Sequence, residues 1–226
     1  MRRFGVLGGT FDPIHLGHLI IAQEVASTLQ LDLLFFLPAG DPPHKHNRHI
    51  APAAQRVQMV ELAIAGNPAF ALSLVDVERA GLSYTVDTLK LLHQQWGSGT
   101  EIYFVIGWDM LEDLLIWHDP AGVVAQVDRL VAVHRPGYEH EPHYLERLEA
   151  ALPGISELLL PLAAPQIAIS SSDLRRRVAE GRSIRYQVPE AVEAYILARG
   201  LYRTLSLDSL PRSGHVSLPN IRDQPQ

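Results

Sequence analysis

The sequence predicts an α/β fold, a doubly wound and mostly parallel sheet with helices on both faces. Two observations carry that expectation. Several apolar runs are short and flat, rich in Val, Ile, Leu or Phe without polar alternation, and stretches of helical periodicity lie between them. Strands covered on both faces read in that way, and strand alternating with helix at this spacing builds a parallel sheet. Ligands of such sheets bind beyond the carboxyl ends of the strands, in the loops that lead into helices.

In chain order, residues 4–7 are the first expected strand. Met1, Arg2 and Arg3 could open a secretory signal, but Gly8, Gly9 and Asp12 break the apolar run too early for the hydrophobic region such a signal needs. A helix is expected over 19–29 and a second strand over 33–37. The stretch 38–52, PAGDPPHKHNRHIAP, is polar and stiff, with Pro42 and Pro43 resisting helix. Further helices are expected over 57–64 and 86–92, further strands over 70–74, 102–106 and 130–133, and closing helices over 174–178 and 188–197. After Tyr202 the chain is rich in Ser, Pro and Gly without periodicity. The expected organisation is one domain over 1–203 and a disordered tail over 204–226.

The chain has 226 residues, enough for one sizeable core, with 47% hydrophobic and 19% charged residues. No run approaches the roughly 18 apolar residues of a membrane span. Cysteine is absent, which excludes disulfides, thiolate catalysis and cysteine-based zinc sites and makes a reducing cytoplasm the expected location. A net charge of -6 argues against bulk nucleic-acid binding, which needs a broad basic surface, but not against a small phosphorylated ligand.

The stretch GGTFDPIHLGH, Gly8 to His18, follows the first strand directly. Gly8, Gly9 and Thr10 let backbone N–H groups approach an anion, and the helix that starts near Gly17 adds positive potential. The stretch is neither GxGxxG nor a Walker A loop. His15 and His18 fall on one side of the first helical turn, where imidazoles donate to phosphate oxygens, more strongly when protonated. Two other readings stay open from the residues alone: a metal held by His15, His18 and Asp12, and a helix start with no ligand. Phosphate contact accounts best for the combination.

GGTFDPIHLGH resembles the nucleotide-binding signature of the HxGH nucleotidyltransferases, with His15-Leu16-Gly17-His18 as the histidine pair. The resemblance implies a Rossmann-like nucleotidyltransferase fold and histidines that hold ATP phosphates. Pro42-Pro43-His44-Lys45, Ser83-Tyr84-Thr85-Val86-Asp87-Thr88-Leu89, Trp117, the stretch ISSSDLR (Ile169 to Arg175) and the closing PEAVEAYILARGLY resemble the bacterial nicotinate-nucleotide adenylyltransferases. That branch implies adenylyl transfer from ATP to nicotinate mononucleotide, giving nicotinate adenine dinucleotide and pyrophosphate, with Mg²⁺ accompanying ATP.

Ser170, Ser171 and Ser172 also read physically as a cap-plus-anion arrangement at a helix start, with Arg175 one turn on; a plain serine cap is the alternative. Gly107 and Asp109 follow the strand at 102–106, so Asp109 is expected at the ligand edge, where it can accept from ribose hydroxyls or cap a helix. The family usually carries a small residue where this chain has Trp108. Lys45 is expected, through the resemblance, as a cation closing over substrate phosphate, whereas the residues alone also allow a metal tract or a solvated loop. Trp117 reads as core or, through the resemblance, as the plane on which the pyridine ring stacks, with Thr85 and the backbone N–H of His118 near the nicotinate carboxylate. The family commonly has tyrosine at His118. Arg135 is expected along the adenine, and Gly8, Gly9, Thr10, Gly107, Asp109, Ser170 and Ser171 around ATP.

The attacking 5′-phosphate has a second pKa of about 6, so no general base is needed. Alignment and charge stabilisation by His15, His18, Ser171, Arg175 and Mg²⁺ would drive the reaction, with ATP and water supplying most metal ligands and no protein residue named as one. Other acceptors, nicotinamide mononucleotide or phosphopantetheine, and a non-catalytic nucleotide-binding protein are the rival readings. Oligomeric state is not readable from the chain.

Overall fold

A computed structural model of the protein describes residues 1–42, 50–134, 143–165 and 167–203. The element order is β1 (Arg2–Gly9), α1 (Leu16–Thr28), β2 (Leu33–Pro38), α2 (Ala53–Ile64), β3 (Phe70–Leu72), α3 (Val75–Glu78), α4 (Thr85–Trp96), β4 (Thr100–Gly107) and α5 (Trp108–Glu112). A 3-10 turn, Leu114–Ile116, precedes α6 (Pro120–Val124), β5 (Arg129–His134), α7 (Tyr144–Ala151), α8 (Ile155–Leu158), β6 (Leu159–Ala163), α9 (Ser171–Ala179) and α10 (Glu190–Arg199). The strands form one six-stranded sheet in the order β3-β2-β1-β4-β5-β6, and all five pairings are parallel.

Successive strand residues enter opposite cores, as a sheet covered on both faces requires. Leu7, Val105, Val131 and Val133 pack with Ala22, Val25 and Ala26 of α1, Met59 and Val60 of α2, Leu174 of α9 and Val192 and Ile196 of α10. Their neighbours Val6, Phe104, Ile106, Leu130 and Ala132 pack on the other face with Val86, Leu89 and Leu92 of α4 and Leu148 of α7. The buried positions of α4 and α9 recur at three- and four-residue spacing, which is the stripe that binds a helix to a sheet.

The chain reverses direction of build between β3 and β4, so β1 and β4 lie side by side at the switch point of the sheet. Their carboxyl ends, Gly9 and Gly107, open the crevice in which such folds bind ligands.

The five expected strands are present, although β3 stops at Leu72, and Leu74 instead precedes α3. The strand β6 was not expected: Pro161 interrupts its pattern, and a sheet edge is where a strand tolerates proline. The first helix starts at Leu16 and the last at Glu190, after Pro189. Among the described residues no helix is long and apolar enough to cross a membrane. The tail expected over 204–226 lies outside the described residues.

Candidate active site

Two adjoining cavities open at the carboxyl ends of β1 and β4. The larger, about 320 Å³, is lined by Gly8, Gly9, Thr10, Thr85, Phe104, Trp117 and His118 among others. The smaller, about 150 Å³, is lined by Thr10, Asp12, His18, Ser170, Ser171 and Arg175 among others. Thr10 belongs to both walls, so the two cavities meet at the loop that leaves β1.

The smaller cavity gathers donors. The backbone N–H of His15 donates to His18 Nδ1 at 3.2 Å, so a neutral His18 carries its ring proton on Nε2 and is a donor there. The two imidazoles stack with centroids 3.7 Å apart and planes 24° from parallel. Two cations at that distance would repel, and burial resolves the conflict: it lowers the pKa of His15, which is 7% exposed, to about 4. His15 is therefore neutral near pH 7, without the stronger donation that protonation would give. A Cβ on Gly17 would meet the His15 ring, Nδ1 and Cε1, at 3.1 Å, so a glycine between the histidines lets the buried ring lie against the helix start. Among the described residues His15 Nδ1 is buried without a hydrogen-bond partner.

The second wall comes from α9. Ser170 Oγ caps it by accepting from the backbone N–H of Asp173 at 3.1 Å, and Ser171 Oγ donates to Pro13 O at 2.9 Å. Ser171 thus ties the start of α9 to the loop after β1, across a peptide bond, Asp12-Pro13, that is cis. Arg175 Nη1 donates to Asp12 O at 2.7 Å, its guanidinium stands 3.7 Å from Asp12 Oδ2, and Nη2 donates to Ser172 Oγ at 3.3 Å. Two helix starts, an imidazole, hydroxyls and a guanidinium converge on a cavity of phosphate size. Arg176 pairs with Asp173 on the exposed face of α9.

In the larger cavity Thr85 is the first residue of α4, which has no side-chain cap. Trp117 follows the 3-10 turn and meets Phe104 edge-on at 6.4 Å. His118 stacks on Tyr84 at 4.1 Å and 28°, so the residue that departs from the family pattern keeps a flat ring at this wall. Trp108 is turned into the core, 4% exposed, away from both cavities. Gly107 and Asp109 stand at the end of β4 and line neither cavity; Asp109 is the second residue of α5, its carboxylate folded within 2.5 Å of where a Gly107 Cβ would be. Lys45 and Arg135 lie outside the described residues.

Three supporting residues escaped sequence reasoning. Arg56, 2% exposed, donates to Ala51 O at 3.0 Å, Thr10 O at 2.8 Å and Gly40 O at 3.1 Å. Desolvation lowers its pKa, and Asp12, Tyr202 and Asp76 oppose that shift. Asp76 accepts from Gly40 N at 2.9 Å, Arg79 Nε at 2.9 Å and Thr88 Oγ1 at 2.6 Å. Burial alone would raise its pKa, but hydrogen bonds from Ser83, Thr88, Gly40 and Arg79 hold it below the ordinary value. Tyr202 donates to Asp12 Oδ1 at 2.7 Å. Apart from Arg79 on Asp76 and Arg56 on Ala51, these contacts join residues 12 or more positions apart, and no local pattern announces them.

Comparison with known proteins agrees with this fold. The cytidylyltransferase-like family profile matches residues 6–177. A probable nicotinate-nucleotide adenylyltransferase of Thermomicrobium roseum is 50% identical over 205 residues, 91% of this chain and 94% of that protein. Another, from a Roseiflexus species, is 48% identical over 200 residues, covering 88% and 97%. Among solved structures, Plasmodium falciparum nicotinic acid mononucleotide adenylyltransferase complexed with NaAD superposes with a TM-score of 0.71 at 18% identity, over 89% of this chain and 98% of that one. At that identity the likeness speaks for the fold.

Proposed function

The chain belongs to the nicotinate-nucleotide adenylyltransferases of the cytidylyltransferase-like family, and from that premise we propose how its two cavities divide the reaction. It is a nucleotidyltransferase of NAD biosynthesis, transferring the adenylyl group of ATP to nicotinate mononucleotide with release of pyrophosphate. The larger cavity takes the nicotinate ring and ribose, the smaller takes the triphosphate, and Thr10 stands where the attacking phosphate meets the α-phosphorus. The observation that carries this reading is the shared wall at Thr10, which puts an apolar cavity and an anion cavity in contact.

The acceptor oxygen attacks the α-phosphorus and the bridging oxygen to the β-phosphorus departs, taking pyrophosphate with it. The acceptor phosphate is already largely ionised, its second pKa being about 6, and needs no base. His18 Nε2–H, the start of α9 with Ser170 and Ser171, and Arg175 would hold the phosphate oxygens and the charge that builds on the leaving group. Neutral His15 would act as a fixed dipole under this cluster. Gly8 and Gly9 would let the chain approach the nucleotide closely, with Gly107, Asp109 and Arg135 along the adenosine and Lys45 over the acceptor phosphate.

Magnesium would enter with ATP and neutralise phosphate charge. Tyr202 and Arg175 engage Asp12, the carboxylate at the anion cavity, which leaves phosphate and water oxygens to hold the ion. The uncapped start of α4 at Thr85 favours a carboxylate in the larger cavity, in keeping with a nicotinate ring. A cysteine-free chain suits a reducing cytoplasm.

His18→Ala tests the division directly. Its kcat for pyrophosphate release should fall about 10²–10³-fold, the scale for losing one preorganised donor, with thermal unfolding unchanged. An unaltered kcat in a folded variant would remove His18 from the reaction.

A further inference from the structure

We propose that Tyr202 is a positioning residue for the phosphate cavity, acting through Asp12 on Arg175; the proposal rests on the reading of Arg175 as a phosphate ligand. Tyr202 lies just beyond α10, 190 positions from Asp12, in a left-handed backbone conformation with φ 63°. Its hydroxyl donates to Asp12 Oδ1 at 2.7 Å, and among the described residues the other donor to that oxygen is the backbone N–H of Ala51 at 3.3 Å. Asp12 Oδ2 faces the Arg175 guanidinium at 3.7 Å. The carboxylate is 3% exposed.

Each carboxylate oxygen therefore has its own owner. Tyr202 and Ala51 hold one, and the other stands 3.7 Å from a guanidinium that also donates to Asp12 O and Ser172 Oγ and whose side chain is 26% exposed at the cavity edge. A buried carboxylate oxygen that loses its short donor must find another. Arg175 already stands 3.7 Å from the carboxylate, so without the hydroxyl the carboxylate rotates towards it and draws the guanidinium back from the cavity. Burial pushes the pKa of the Tyr202 hydroxyl far up, and Asp12 pushes it the same way. The group thus remains a donor wherever the enzyme works.

Tyr202 also touches Met59 and packs against the core, so a merely structural role is the rival account. A double-mutant cycle on the full chain separates the two. Pyrophosphate release is measured with ATP and nicotinate mononucleotide for the wild type, Tyr202→Phe, Arg175→Ala and the double variant, with each rate divided by the folded fraction at the assay temperature. In the Arg175-containing protein, Tyr202→Phe should lower kcat/KM for ATP about tenfold, since small misplacements of a binding group carry such penalties, while KM for nicotinate mononucleotide stays within about twofold. In the Arg175→Ala background it should cost less than about twofold, because the group it positions is gone. Equal losses in both backgrounds, or parallel changes in KM for both nucleotides, would overturn the proposal. A wild type that releases no pyrophosphate would instead overturn the function, and the proposal would fall with it.

Discussion

His15 and His18 share a helix turn and a stacking contact, yet their surroundings give them different chemistry. His18 opens on the anion cavity with its Nδ1 already taken by a backbone N–H, so its proton is held on the far nitrogen. His15 is buried, and desolvation lowers its pKa to about 4 from the ordinary 6.5. The sign of the resulting pH dependence follows from linkage. Between those two values the unfolded chain protonates His15 and the folded chain does not, so acid stabilises the unfolded state. The contribution of His15 is complete above about pH 6.5 and is lost progressively as pH falls towards 4. Urea unfolding at pH 7 and pH 4.5 should show the wild type losing about 2 kcal/mol more than His15→Asn over that interval. Identical losses would mean that the folded protein protonates the ring freely.

At the scale of elements, the sequence announced the walls of the site but not what holds them in register. The loop after β1 and the start of α9 were legible because their glycines, histidines and serines gather backbone and side-chain donors at helix starts and together resemble a known nucleotide-binding signature. The apolar runs of β1, β2, β4 and β5 were legible because both faces of each are buried. Strand β6 was hidden by Pro161, which sits at a sheet edge where its missing N–H costs little. Arg56 was hidden for another reason. A lone arginine on a helix reads as solvated, and only the tertiary structure shows that it links α2 to the main chain just beyond β1 and β2, through carbonyls of Thr10 and Gly40, while also holding Ala51 O just ahead of its own helix. Replacing it with methionine keeps the bulk but leaves those carbonyls unpaired and removes one cation from the surroundings of two buried carboxylates, Asp12, which keeps Arg175, and Asp76, which keeps Arg79. Arg56→Met should cost about 3–5 kcal/mol of stability in a denaturant titration, the range for breaking a buried charged group's contacts. A loss below about 1 kcal/mol would show that water or other donors replace the guanidinium.

For the whole molecule, the sheet order decides where chemistry can occur. The reversal between β3 and β4 opens the crevice between β1 and β4, and both cavities lie at that carboxyl edge. The net charge of -6 is compatible with anionic nucleotides because the cations and helix starts are local to the site. Acceptor choice belongs to this scale too, since the larger cavity is built jointly by β1, β4, the start of α4 and Trp117 with His118. A helix start rewards a carboxylate over an amide there. The decisive measurement compares kcat/KM for nicotinate mononucleotide and nicotinamide mononucleotide at saturating ATP, read as pyrophosphate release. The acid should be preferred by at least about tenfold, equivalent to ~1.4 kcal/mol. Equal values, or a preference for the amide, would contradict the assignment of nicotinate mononucleotide as the acceptor.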